Sequence, residues 1–175
     1  EASSHSAGVG TSQAIHGNNN TMNNQNFNIS VFLNEKCSDA MSIQDFAKQL
    51  TLTMEDLAQS RQNRAIGFSN IVVKNLEPLA ITERPVHCTD DQGWFVKDGA
   101  NWEEDNGGKL IAEAQKGIQR SWPTIFEHAN PGWENKDGLK EAYCEIAGAA
   151  TSDLSTKELS KITKTIGKRC GVKDT

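Results

Sequence analysis

The sequence predicts an α+β domain that is mainly helical, with a short β-hairpin/strand unit, preceded by an extended Asn-rich leader. Three observations lead there. From Ala2 to Asn34 there is no Lys, Arg, Asp or Glu, and eight of the residues between Asn18 and Asn34 are asparagines. Most of the chain beyond Asn34 spaces its apolar residues by threes and fours behind N-capping residues, as amphipathic helices do. Between these helical stretches, Arg84 to Trp102 (RPVHCTDDQGWFVKDGANW) alternates and turns as a hairpin does. The division is a leader over residues 1–26 and a compact α+β domain over 27–175.

Taken in order, the leader is Ser, Gly, Asn and Gln with isolated apolar residues, too little apolar area to order a lone chain. Asn-rich chains pair as strands or pack about a symmetry axis through ladders of side-chain amides. Asn18, Asn19, Asn20, Asn23 and Asn24 are therefore expected to dock against neighbouring copies, together with Phe27, Ile29 and Val31. Phe27, Ile29, Val31 and Leu33 alternate with Asn28, Ser30 and Phe32 and predict a strand with one apolar face. Ser42 with Asp45, and Thr53 with Asp56, each predict a helix start. Ile66, Val73 and Leu76, thickened by Ile71 and Val72, predict a helix stopped by Pro78.

Val86 and Cys88 flank His87 on the first hairpin strand, Thr89 to Gly93 turns, and Trp94-Phe95-Val96 returns. Asp98-Gly99 turns again. Asp105 to Gly108 reads as a loop, with Glu103 to Asp105 fronting a helix N-terminus, where negative charge is favourable. Leu110, Ile111, Ala114, Ile118, Trp122 and Ile125 mark the face of that helix, and Pro123 is expected to end or kink it at Trp122. Leu139, Tyr143, Ile146 and Ala150 define another helix. Ser155 and Glu158 box the start of a last one, with Leu159, Ile162, Ile166 and Cys170 inward, Lys164 and Lys168 outward, and Gly171 closing it.

Composition bounds the function. The hydrophobic share of 36% is low, and the deficit is concentrated in the leader, so the remainder can bury a core. A net charge of −5 gives no overall attraction to nucleic acid. The stretch from Thr151 onward reverses that balance, with six basic residues against three acidic. Lys161, Lys164, Lys168 and Arg169 are its candidate nucleic-acid contacts, against the plainer reading of a solvated helix surface. No run of 18 apolar residues predicts a membrane span, and the first residues lack a secretory signal. Glu1 at the start fits a beginning inside a longer precursor. Cys37, Cys88, Cys144 and Cys170 form no CxxC, which suits reduced thiols and leaves two long-range disulfides open.

The crowded segment invites an active-site reading. His87 and Cys88 are candidate metal ligands, with Cys37, Cys144, His128 and Asp90 as distant partners. Adjacent residues on a strand point to opposite faces, which works against one shared ion and against a Cys–His nucleophile pair. His128 is free to approach Cys88 or Cys144 instead. Asp90 and Asp91 fit a turn, and the four tryptophans fit a core around the hairpin and the next helix. No cofactor and no catalytic set is expected.

The run NNNTMNNQNFNISVFLNEKC (Asn18 to Cys37), continued by DAMSIQDF, RPVHCTD, FVKD and Trp102, resembles the C-terminal domain of uncharacterised proteins of nucleocytoplasmic large DNA viruses (giant viruses). The resemblance extends from about Asn18 onward. Its signature falls on Arg84, Pro85, His87, Cys88, Asp90, Trp94, Lys97, Asp98 and Trp102. Members of that family often carry a zinc finger and a coiled coil ahead of the Asn-rich stretch. Neither is present in this sequence, so a finger-based role does not carry over. Asp91-Gln92-Gly93 also stands where the family tends to have a basic pair. The resemblance supplies a viral context and no chemistry. The charge-free leader joined to a compact domain without a catalytic constellation leads to the expectation of a non-enzymatic viral structural or assembly protein that associates with itself and with other viral proteins. The viral context implies a location in the infected host cytoplasm, the virus factory or the virion. A nucleic-acid-associated regulatory protein, and a metal- or thiol-dependent enzyme at RPVHCTD, are the alternatives.

Overall fold

A computed structural model describes residues 28–89 and 93–171. The expectations placed on Asn18, Asn19, Asn20, Asn23, Asn24, Phe27, Asp90 and Asp91 lie outside the described residues. Helix α1 (Ile29–Val31) begins at Asn28, whose side-chain oxygen accepts hydrogen bonds from Ser30 N and Val31 N at 3.1 and 3.3 Å. It runs into a π-helical turn (Phe32–Lys36) closed by Cys37 N donating to Phe32 O. This corrects the strand expected there. Ile29, Val31 and Leu33 do alternate, but Ile29, Leu33 and Cys37 also recur every fourth residue. The structure buries the second set and leaves Val31 47% exposed. The Asn28 cap favours the helical choice, because it satisfies amides that an isolated strand would leave to water.

Helix α2 (Ile43–Lys48) starts at the Ser42 cap, and α3 (Met54–Gln62) at a reciprocal box between Thr53 and Asp56, both as expected. Helix α4 (Arg64–Leu76) ends just before Pro78. It turns Ala65, Phe68, Val72 and Leu76 inward and leaves Ile66 54% exposed, so Ile66 is not on the core stripe. Strands β1 (Val86–Thr89), β2 (Gly93–Asp98) and β3 (Asn101–Asp105) make an antiparallel meander. Gly99, with φ +59, occupies the first position of the two-residue β2–β3 turn, a position that favours glycine.

Strand β3 is unexpected from the sequence: Glu103 and Glu104 lie within it, exposed, and do not front a helix. Only Asp105 does that, accepting from Gly107 N and Lys109 N at the start of α5 (Gly108–Ala129). Pro123 does not end α5. An interior proline costs about 3 kcal/mol, whereas burying a large side chain stabilises by about 1.5–3 kcal/mol each. Trp122 and Phe126 are buried on either side of it, in a ring cluster with Tyr143 and Trp133. Helices α6 (Asp137–Thr151) and α7 (Thr156–Cys170) complete the domain. Gly171 is extended (φ −62, ψ 136), not left-handed as a glycine cap would be, and pairs with Cys88 along the free edge of β1.

Strand alternation divides the molecule into layers. Val86, Cys88 and Val96 face a large core built with α2 to α7. Phe95 faces a second apolar cluster formed with Ile29, Leu33, Cys37 and Ala40, against which Phe32 and Trp102 pack. The sheet thus stands between the helical body and the short segment that precedes α2. Among the described residues no helix is long and apolar enough to cross a membrane.

Candidate functional site

The second cluster holds most of the polar chemistry that the sequence concentrates. His87, on the same face as Phe95, is 1% exposed. Its Nε2 lies 3.6 Å from Cys37 Sγ, and its ring meets Phe32 edge-on at 5.3 Å and Trp102 at 5.6 Å. Burial pushes the Cys37 thiol up to about 11, against the opposing pull of Lys97. Burial, helped by the Arg84 guanidinium, pushes His87 down to about 4. The Ile81 backbone pulls His87 the other way by a smaller amount, and the buried Nδ1 has no hydrogen-bond partner. Both groups are therefore neutral near pH 7. The thiol and Nε2 share one hydrogen-bond contact whose direction follows the imidazole tautomer. This is a packed, uncharged pair, not a thiolate–imidazolium couple.

Cys88 lies on the opposite face, as strand alternation requires, in the large core beside Cys170. Burial first, and then Cys170, push its thiol up to about 12. His87 and Cys88 therefore cannot share an ion, and His128, exposed at the end of α5, does not meet the buried Cys88. All four cysteines are free thiols, and only Cys144 is exposed. Among the described residues no group of three His, Cys, Asp or Glu side chains could hold a metal ion.

The remaining signature residues act as fasteners. Lys97 is 7% exposed, and its Nζ donates to Ser38 O and Ala40 O, each at 2.6 Å. Trp102 Nε1 donates to Cys37 O at 3.1 Å. Arg84 donates to Leu79 O and Glu77 O behind α4, and Pro85 O accepts from Lys97 N. Asp98 accepts from Gln44 and Lys109, which hold its carboxyl below the usual carboxylate range. Trp94 lies over Gly107 and Gly167 at the other face. Ile29, expected to dock other copies, is packed in the molecule's own second cluster, while Val31 is exposed.

No family model, curated protein or solved structure matches the chain.

Away from the sheet, a cleft bordered by Leu57, Arg64, Phe68, Gln115, Ile146 and Leu154 has about 20 Å³ of free space, room for roughly one water molecule. Its polar rim serves the chain itself: Arg64, Gln115 and Gln119 donate to the Ala150 and Ser152 carbonyls at the end of α6. The outer face of α7 carries Lys161, Lys164 and Lys168 as the sequence suggests. Arg169 is not part of that face, being ion-paired with Glu77 at 2.5 Å. Lys157 joins the row instead, at a helical spacing from Lys161 and Lys164 that the sequence displays. The Cys37–His87 pairing, across 50 residues, leaves no local signal.

Proposed function

We propose that this chain is a non-enzymatic structural or assembly protein of a large DNA virus, which associates through its Asn-rich leader. Its expected place is the infected host cytoplasm, the virus factory or the virion, with itself and other viral proteins as partners. One observation carries the reading. The signature residues Arg84, His87, Lys97, Asp98 and Trp102 direct their polar groups into the fold, and several of them clamp the segment around Cys37 onto the sheet. That segment is the root of the leader. A leader able to dock only through a fixed root needs such a clamp, whereas a reaction site needs those groups reachable by substrate.

The test is the mass of the particle in solution, by light scattering and native mass spectrometry, for the full chain and for a chain lacking residues 1–26. The expected outcome is an oligomer only when the leader is present. A monomer in both cases, with no association with virions, overturns the reading.

A further inference from the structure

We infer that the outer face of α7 binds the phosphate backbone of nucleic acid through Lys157, Lys161, Lys164 and Lys168. At 3.6 residues per turn these positions, each a helical step of three or four from the next, fall within an arc of about 60°. Ile162, Ile166 and Cys170, buried against the core, lie on the opposite side of the helix. All four lysines are exposed. From the first to the last, the row runs about 17 Å along the helix axis. One strand of B-DNA places a phosphate every 3.4 Å of duplex axis, so a row of this length faces about five phosphates.

Ion pairing separates this row from an ordinary solvated surface. Every lysine within α2, α4, α5 and α6 lies beside an acid: Lys48 by Asp45, Lys74 by Asp56, Lys109 by Asp98 and Glu103, Lys116 by Glu113, and Lys140 by Asp137. None of the four lysines of α7 has an acidic partner among the described residues. The two charged α7 residues that do have partners turn away from the row, Glu158 toward Arg64 and Arg169 toward Glu77. The row is therefore unmixed in sign within a chain of net charge −5. At physiological salt, charges more than about 8 Å apart are largely screened, so local contacts with phosphate outweigh repulsion from the distant acids. No aromatic residue lies on α7 to stack on a base, so the row reads backbone and not sequence, and duplex DNA is the substrate that fits it.

Helix α7 alone would make these contacts, independently of the leader. The experiment uses the full chain and a labelled random-sequence duplex of about 20 base pairs, with affinity read by anisotropy from about 50 to about 200 mM salt. Four phosphate contacts give a slope of log affinity against log salt near −3.6, which is a fall of roughly 10²-fold over that range. The Lys157→Gln, Lys161→Gln, Lys164→Gln and Lys168→Gln combination is expected to weaken low-salt binding at least about tenfold and flatten the slope. The single variants K161Q and K164Q each flatten it by about 0.9, which keeps the test decisive should the combination fold poorly. Arg169→Gln is expected to leave both quantities unchanged. Absence of duplex binding at low salt, undiminished binding by the lysine variants, or tighter binding to phosphatidylserine vesicles than to duplex overturns the assignment. An oligomer held by the leader would strengthen binding by the wild type and by Arg169→Gln alike, so the two proposals fail separately.

Discussion

His87 is enclosed by Phe32, Trp102 and the Cys37 thiol, and at neutral pH it carries no charge there. Its folded-state value is about 4 against an ordinary value of 6.5. Between those two values the unfolded chain takes up the proton and the folded chain does not. Stability is therefore complete above about pH 6.5 and is lost as pH falls toward 4. The difference corresponds to about 3 kcal/mol, an order-of-magnitude figure for a group buried this deeply. Denaturant unfolding followed from neutral pH to about pH 4 is expected to show that loss in the wild type, and to show it reduced by about that amount in His87→Phe. An identical pH profile for the two proteins would refute the buried-neutral assignment. At this level the sequence is half legible. Strand alternation alone separates His87 from Cys88, because the period is fixed at two. Which residue meets the imidazole is not legible, because Cys37 reaches it only through a turn whose π-helical form no spacing announces.

Between elements, two glycines set how closely helices approach. A Cβ on Gly117 of α5 would lie 2.5 Å from the Ala47 carbonyl oxygen of α2, and one on Gly67 of α4 would collide with the Ser60 backbone of α3. Backbone cannot swing aside as a side-chain tip can, so the helix pair must separate. Gly117→Ala and Gly67→Ala are each expected to lower unfolding free energy by about 1–3 kcal/mol. Gly148→Ala, on α6 with open space around it, is expected to raise it by about 0.4–1 kcal/mol through the unfolded chain. Urea unfolding of the three variants checks both signs together. The starts of α2, α3 and α7 are readable in the sequence, since Ser42, Thr53 and Ser155 cap them as their spacing to an acid suggests. The first segment misleads because a short apolar run satisfies two periods at once. Strand β3 escapes sequence reasoning because it is largely exposed and acidic, its place being set by pairing with β2 and not by its own apolar content.

Across the molecule, the sheet is a wall with a different apolar cluster on each side, and Lys97 is the pin that holds the smaller cluster to it. Lys97→Met removes both donors and leaves the Ser38 and Ala40 carbonyls without their partner, at a cost of about 1–3 kcal/mol. The effect is expected to be local. Amide exchange over residues 29–41 should quicken by at least about tenfold, while α4 and α5, in the other cluster, keep their protection. Equal loss of protection in both regions would show that the two clusters unfold as one. The mainly helical α+β character is visible in the sequence from capping and periodicity, but the two-sided use of the sheet is not. It depends on which segments reach each face, and those lie far apart in the chain.

The pairing of Gly171 with Cys88 has a consequence for synthesis. Strand β1 is an edge strand, and Gly171 pairs along its free edge. More than eighty residues separate the two partners, so a nascent chain displays that edge from the time the hairpin leaves the ribosome until α7 has followed it out. During that interval Cys88 lacks the neighbour beside which it is later buried, and the strand offers an open template to any other chain nearby. Closure of that edge is thereby tied to the arrival of α7, long after the hairpin itself is complete.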